Sequence, residues 1–182
     1  MREEVVLSRT CEAVMIPSGE RVIVPQGAHA TITQSLGGSY TLITDRGLMV
    51  RVSGKEVEAI GKTPQEAVQA TGEVTKDDLE KMVWDQLKTC FDPEIPVNIV
   101  DLGLVYLCEL TPADDGSGSN VKIKMTLTAP GCGMGPVLAG DVRVKVESLP
   151  SVKTADVEVV FDPVWDRSMM SEAAKLQLGM MW

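Results

Sequence analysis

Histidine is nearly absent from this 182-residue chain, and the one present, His29, sits beside an alternating strand pattern. A zinc site built on several imidazoles is therefore excluded, and His29 reads as a structural residue. A Cys-His dyad would need His29 to cross between domains. Cys-x-x-Cys is missing too, since Cys11, Cys90, Cys108 and Cys132 are widely separated. In a reducing compartment such cysteines are expected as thiols, and a zinc site drawn from four distant segments is set aside. Basic clusters are absent: 17 Lys and Arg are scattered against 26 Asp and Glu, for a formal net charge of −9. Nucleic-acid binders concentrate Lys and Arg to displace counterions, so no nucleic-acid partner is expected. No apolar run approaches the ~18 residues of a membrane span, and Met1-Arg2-Glu3-Glu4 lacks the basic and apolar blocks of a secretion signal. The expectation is no membrane and a cytoplasmic location.

With 44% hydrophobic residues the chain can bury one good core or two small ones, and its organisation favours two. From about Glu4 to Gly61 short β-type runs alternate with turn residues: Val14 to Ile16, Arg21 to Val24, Ala30 to Ser35, Tyr40 to Thr44, Leu48 to Val52 and Val57 to Ile60. Even spacing of this kind predicts a small antiparallel β-barrel or sandwich over residues 1–62, used for docking or oligomerisation. Residues 63–74 read as a polar linker with one or two helical turns. The remainder, 75–182, reads as helix, strand, strand, helix, strand, helix. That order predicts a compact α+β domain with helices packed on a small sheet, and an α+β class for the whole chain.

Within the second domain, Thr75 opens a Thr-x-x-Asp cap, and Leu79, Met82, Val83, Leu87 and Cys90 share one helical face to about Cys90. Cys90 is thus expected in the core, and Cys108 as a strand side chain without chemistry. Val121 to Leu127 alternates and returns from a Gly/Ser hairpin tip as an antiparallel strand. Pro136 to Leu149 fits either a strand or a helix, and Pro136 at the start with Pro150 past the end selects helix. Val152 to Phe161 is predicted as a strand and Ser168 to Leu178 as a short helix.

Leu127-Thr128-Ala129-Pro130-Gly131-Cys132-Gly133-Met134-Gly135-Pro136 is the stretch most prepared for chemistry. Its glycines free the backbone to expose amides, and Pro136 suits a first helical position. Cys132 would lie at or near a helix N-terminus, where a thiolate serves as metal ligand or nucleophile. Asp92, Glu94 and Asp101, in a proline-broken stretch, could supply oxygen ligands or orient that loop; acids beside prolines also cap turns. The methionines at 169, 170, 180 and 181 read as flexible packing or a docking surface, and Trp165 as a partner anchor or a core-edge residue.

Asp92 to Tyr106, then Thr126 to Cys132, then Phe161-Asp162-Pro163-Val164-Trp165-Asp166 resemble, in this order, the metal-sulfur cluster biosynthesis domain of iron-sulfur assembly accessory proteins. The likeness covers about Lys76 to Gly179, and with its β-rich N-terminal extension the chain looks like the bacterial SufT class. The family's usual Pro-Pro-Trp or Pro-x-Trp appears here as Asp162-Pro163-Val164-Trp165-Asp166. The resemblance implies a role in maturing iron-sulfur proteins, with Cys132 as the functional cysteine and assembly scaffold and client apo-proteins as partners. A cluster normally takes four thiolates, so one prepared cysteine implies a labile cluster or iron shared across chains, as in a homo-oligomer, or completed by a client, small thiol or carboxylates. Cys132, Asp92, Glu94 and Asp101 are the candidate metal ligands. The reading is a non-enzymatic carrier; the alternative is an adaptor that recruits clients without metal. A thiol enzyme is disfavoured by the shortage of histidine and of a resolving cysteine.

Overall fold

The computed structural model describes residues 2–64 and 73–180, in two compact units, Met1–Glu66 and Ala67–Trp182. The expected linker turns fall mainly on residues 65–72, outside the described residues.

In the first unit six strands form one antiparallel sheet: β1 (Glu3–Val6), β2 (Cys11–Met15), β3 (Arg21–Val24), β4 (His29–Leu36), β5 (Ser39–Thr44) and β6 (Met49–Val52). Their order is β1-β4-β5-β6-β2-β3. Period-two alternation puts Ile32, Leu42, Val50 and Val52 on the buried face, with Cys11, Ala13 and Val24. His29 opens β4, exposed, and its carbonyl accepts the Asp45 amide at 2.9 Å. Two assignments change. Val57–Ile60 is a 3-10 turn rather than a strand, closed by Gly61 in the left-handed region at φ 71°. Its buried Val57, Ala59 and Ile60 gave a short apolar run, and apolar runs this short do not separate strand from turn. β1 was not among the expected runs, because Glu3, Glu4 and Val6 are exposed along an edge.

The second unit carries α1 (Lys76–Leu87), β7 (Val105–Pro112), β8 (Ser119–Met125), α2 (Gly135–Glu147), β9 (Val152–Val159) and α3 (Glu172–Gln177). The Thr75 hydroxyl accepts the Asp78 amide at 3.2 Å, as the capping pattern predicted. Leu79, Val83 and Leu87 of α1 and Leu138, Val142 and Val146 of α2 are fully buried with Val121, Ile123 and Met125 of β8. Each such side chain contributes roughly 1.5–3 kcal/mol of burial, so this shared core orders the unit. Cys90 lies within it, 2% exposed. The Ser168 to Leu178 helix is broken in two: Arg167–Met169 forms a 3-10 turn, and Ser171 starts α3 afresh by accepting the Ala174 amide at 3.1 Å.

β7 pairs antiparallel with β8, whereas β8 and β9 run parallel, joined through α2. A parallel pair needs such a crossover, and its consequence here is directional. The chain leaves β8 and β9 at the same end of the sheet and enters β7 at that end, where Val105 faces Met125.

Candidate functional site

The sheet topology gathers the Asp92–Leu104 stretch, the Thr126–Cys132 loop and the Val160–Asp166 loop at one end of the second unit. Backbone bonds seal the junction: Thr126 donates to the Leu104 carbonyl, and Val160 to the Met125 carbonyl, both at 2.8 Å.

Asp92, 5% exposed, ties the first segment to the second. Its Oδ1 accepts the amides of Glu94 and Ile95 at 2.9 Å each, which folds Pro93 to Pro96 into a tight turn. Its Oδ2 accepts the Thr128 hydroxyl at 3.3 Å, four residues before Cys132. Asp101 links the first segment to α3. Its Oδ2 accepts Asn98 Nδ2 at 2.6 Å, its Oδ1 accepts the Ser171 hydroxyl at 3.0 Å, and its carbonyl accepts the Ser171 amide at 2.8 Å. Glu94 is exposed at the turn. The third segment is held from below: Trp165 Nε1 donates to the Leu102 carbonyl at 2.7 Å, and the Tyr106 hydroxyl donates to the Pro163 carbonyl at 2.8 Å. Gly103, at φ 74°, lies directly under the Met169 carbonyl, where a Cβ would collide with it.

Cys132 is half-buried and packs against the core of the unit. It precedes α2 by three residues, and its carbonyl accepts the Gly135 amide at 3.1 Å. Gly131 sits in the left-handed region at φ 78°, which turns the chain after Pro130. A Cβ on Gly135 would stand 2.6 Å from Leu127 Cδ1, so glycine there lets the two ends of the loop close on each other. The other thiols are less available. Burial, with Glu80 nearby, pushes Cys108 up to about 11, and burial, with a lesser push from Glu56, raises Cys11. Hydrogen bonds from Ser168 hold Asp166 below the usual carboxylate range.

The donor set limits what one chain can hold. Among the described residues no group of three or more His, Cys, Asp and Glu side chains stands together to take a metal ion. Asp92 and Asp101 accept turn and cap bonds, Asp92 tying its turn to Thr128 of the Cys132 loop and Asp101 tying Asn98 to Ser171 at the start of α3. Sequence reasoning missed Thr128, Tyr106 and Ser171 as partners in this network. Only the proximity of Thr128 to Cys132 within one motif hinted at any of them. Thr126, which opens the same motif, is fully buried, and its hydroxyl has no partner among the described residues.

An α+β domain that presents one half-buried cysteine on a glycine-flanked loop, with a buried aspartate bonded to that loop, is the class defined by this geometry. Residues 80–159 match the family described as iron-sulfur cluster assembly protein. An Fe-S protein maturation auxiliary factor of Porphyromonas gingivalis is 45% identical over 105 residues, 58% of this chain and 91% of that protein. The Fe-S protein maturation auxiliary factor YitW of Bacillus subtilis is 39% identical over 56% of this chain and 94% of its own length. SufT of Staphylococcus aureus, with the same description, is 39% identical over 48% and 94%. A crystal structure of a DUF59 domain from Bacillus anthracis is similar at 37% identity and a TM-score of 0.49, covering 58% of this chain and 95% of that one. The chain belongs to the iron-sulfur cluster assembly protein family, and the match to that family falls within its second unit.

Proposed function

We propose that the protein is a non-enzymatic accessory factor in iron-sulfur protein maturation whose Cys132 loop takes iron or a labile cluster as cargo and passes it on. The observation that carries this reading is the convergence of three segments at one end of the sheet, with Cys132 the half-buried thiol among them. One thiolate leaves most positions of an iron-sulfur cluster open, so the remaining ligands come from a second chain, a small thiol, the assembly scaffold or the client. A set completed from outside is suited to release. Asp92 positions the loop through Thr128, and Asp101 fixes its neighbour. The relatives' description as maturation auxiliary factors supports the same role, and a cytoplasmic setting accompanies it. No helix among the described residues is long and apolar enough to cross a membrane.

A second reading, an adaptor that recruits clients without holding metal, is favoured by one feature of the same end. Phe161 and Val164 are 44% and 65% exposed on the Val160–Asp166 loop, an apolar tip braced by Tyr106 and Trp165. The two readings separate on Cys132→Ser, scored by maturation of a cluster-dependent enzyme in cells lacking the wild-type chain. The carrier reading expects maturation to fall to the level of the empty strain. Full maturation by the Ser variant would leave only the adaptor.

A further inference from the structure

The N-terminal sheet ends on two unlike edges. β1 carries Glu3 and Glu4, and Lys62 Nζ donates to both Glu3 carboxylate oxygens at 2.8 Å. Charged side chains of this kind are how natural sheets refuse further strands. β3 has no comparable guard. Ile23 is 65% exposed on it, and its one charge, Arg21, is drawn to Glu12 on the neighbouring β2 at 3.0 Å.

The hairpin between β2 and β3 decides which amides look outward. Met15 donates to the Glu20 carbonyl at 2.8 Å, so Glu20 faces β2. With a period of two, Val22 and Val24 face it as well. The N–H and C=O groups of Arg21 and Ile23 therefore point away from the sheet, on a strand whose pairing within the sheet is with β2 alone. A cleft of about 290 Å³ lies against the same strand, with Val22, Ile23 and Val24 in its lining together with Asp45, Leu48 and Val50.

We propose that β3 is a self-association edge whose occupant is β3 of a second copy of this chain, paired antiparallel about Val22. In that register Arg21 of each copy lies opposite Ile23 of the other. All outward N–H and C=O groups of these residues are then paired, in about four new backbone hydrogen bonds. The two Val22 side chains meet on the face that also carries Val24, Arg21 faces an isoleucine rather than a like charge, and Pro25 stays outside the bonded pairs. Self-pairing of β1 would instead collect Glu3 and Glu4 from both copies on one edge. The contact is smaller than a standard stable interface, so association is weak and reversible. It concerns the first unit and does not depend on what Cys132 carries.

The test is sedimentation of the full chain from about 1 µM to about 1 mM, where weak dimers assemble. Wild type is expected to pass from monomer to dimer. Ile23→Pro removes an outward N–H that the fold does not use, a place where a sheet edge tolerates proline, and should weaken association at least about tenfold. Ile23→Lys should do the same, and Val6→Ser on the opposite edge should not. In wild type, amide exchange at Arg21 and Ile23 should slow as concentration rises, while Val22 stays unchanged. Circular dichroism checks that the variants fold; if Ile23→Pro does not, Ile23→Lys and the wild-type exchange data decide. A chain that stays monomeric throughout, or a dimer that survives in the folded Ile23 variants, overturns the proposal.

Discussion

Replacing Asp92 by Ala takes away the acceptor of the Glu94 and Ile95 amides and of the Thr128 hydroxyl at once. The two amides lie in a part-buried turn, and each donor left without a partner costs on the order of 1 kcal/mol or more. The total should reach about 2–4 kcal/mol, which for a unit of this size lowers the unfolding midpoint by on the order of 10 °C. Asp92→Asn provides the contrast. Its amide oxygen keeps the bonds from Glu94 and Ile95, and its NH₂ can donate to a Thr128 hydroxyl turned to accept, so stability should stay within about 1 kcal/mol of wild type. Thermal and urea unfolding measure the stability, and maturation of a cluster-dependent enzyme measures the function. A staple predicts that Asn keeps both and that Ala loses both. An Ala variant as stable as wild type would refute the hydrogen-bond reasoning. An Asn variant that is stable yet inactive would reassign Asp92 from staple to metal ligand.

Gly103→Ala combines a left-handed φ of 74° with a collision against the Met169 carbonyl, so it should destabilise by more than about 2 kcal/mol in urea unfolding. Thr126→Val replaces a fully buried hydroxyl that lacks a partner with a methyl of the same shape; a gain of about 1 kcal/mol is expected by the same assay. Alkylation followed by peptide mapping should modify Cys132 well before the other cysteines. Cys108, raised to about 11, holds only about a thousandth of its thiol as thiolate at pH 8, and its labelling should climb roughly tenfold per pH unit towards 11. Fast labelling of Cys108 at pH 8 would contradict its burial.

Local periodicity makes much of the fold legible in the sequence. The Thr75 cap, the buried face of α1 and the alternation of Val121, Ile123 and Met125 all rest on contacts within a few residues, and all appear in the structure. Features set by distant partners were not legible. Nothing in Val152 to Val159 states that it lies parallel to β8, yet this one pairing brings the Cys132 loop and the Val160–Asp166 loop to the same end. The single helix expected over Ser168 to Leu178 breaks before Ser171, whose hydroxyl and amide are both accepted by Asp101, seventy residues away. The Asp92 turn lay between these cases. Aspartate before a proline signals turn chemistry, whereas its hold on Thr128 is a tertiary contact.

The carrier account stands on Cys132, and the most direct measurement is iron and sulfide analysis of the protein after anaerobic reconstitution, run on wild type and Cys132→Ser together. The account predicts iron on wild type at less than one cluster per chain, removable by a mild chelator, and none above background on the Ser variant. Equal iron on both, or a cluster on wild type that resists the chelator, would contradict it.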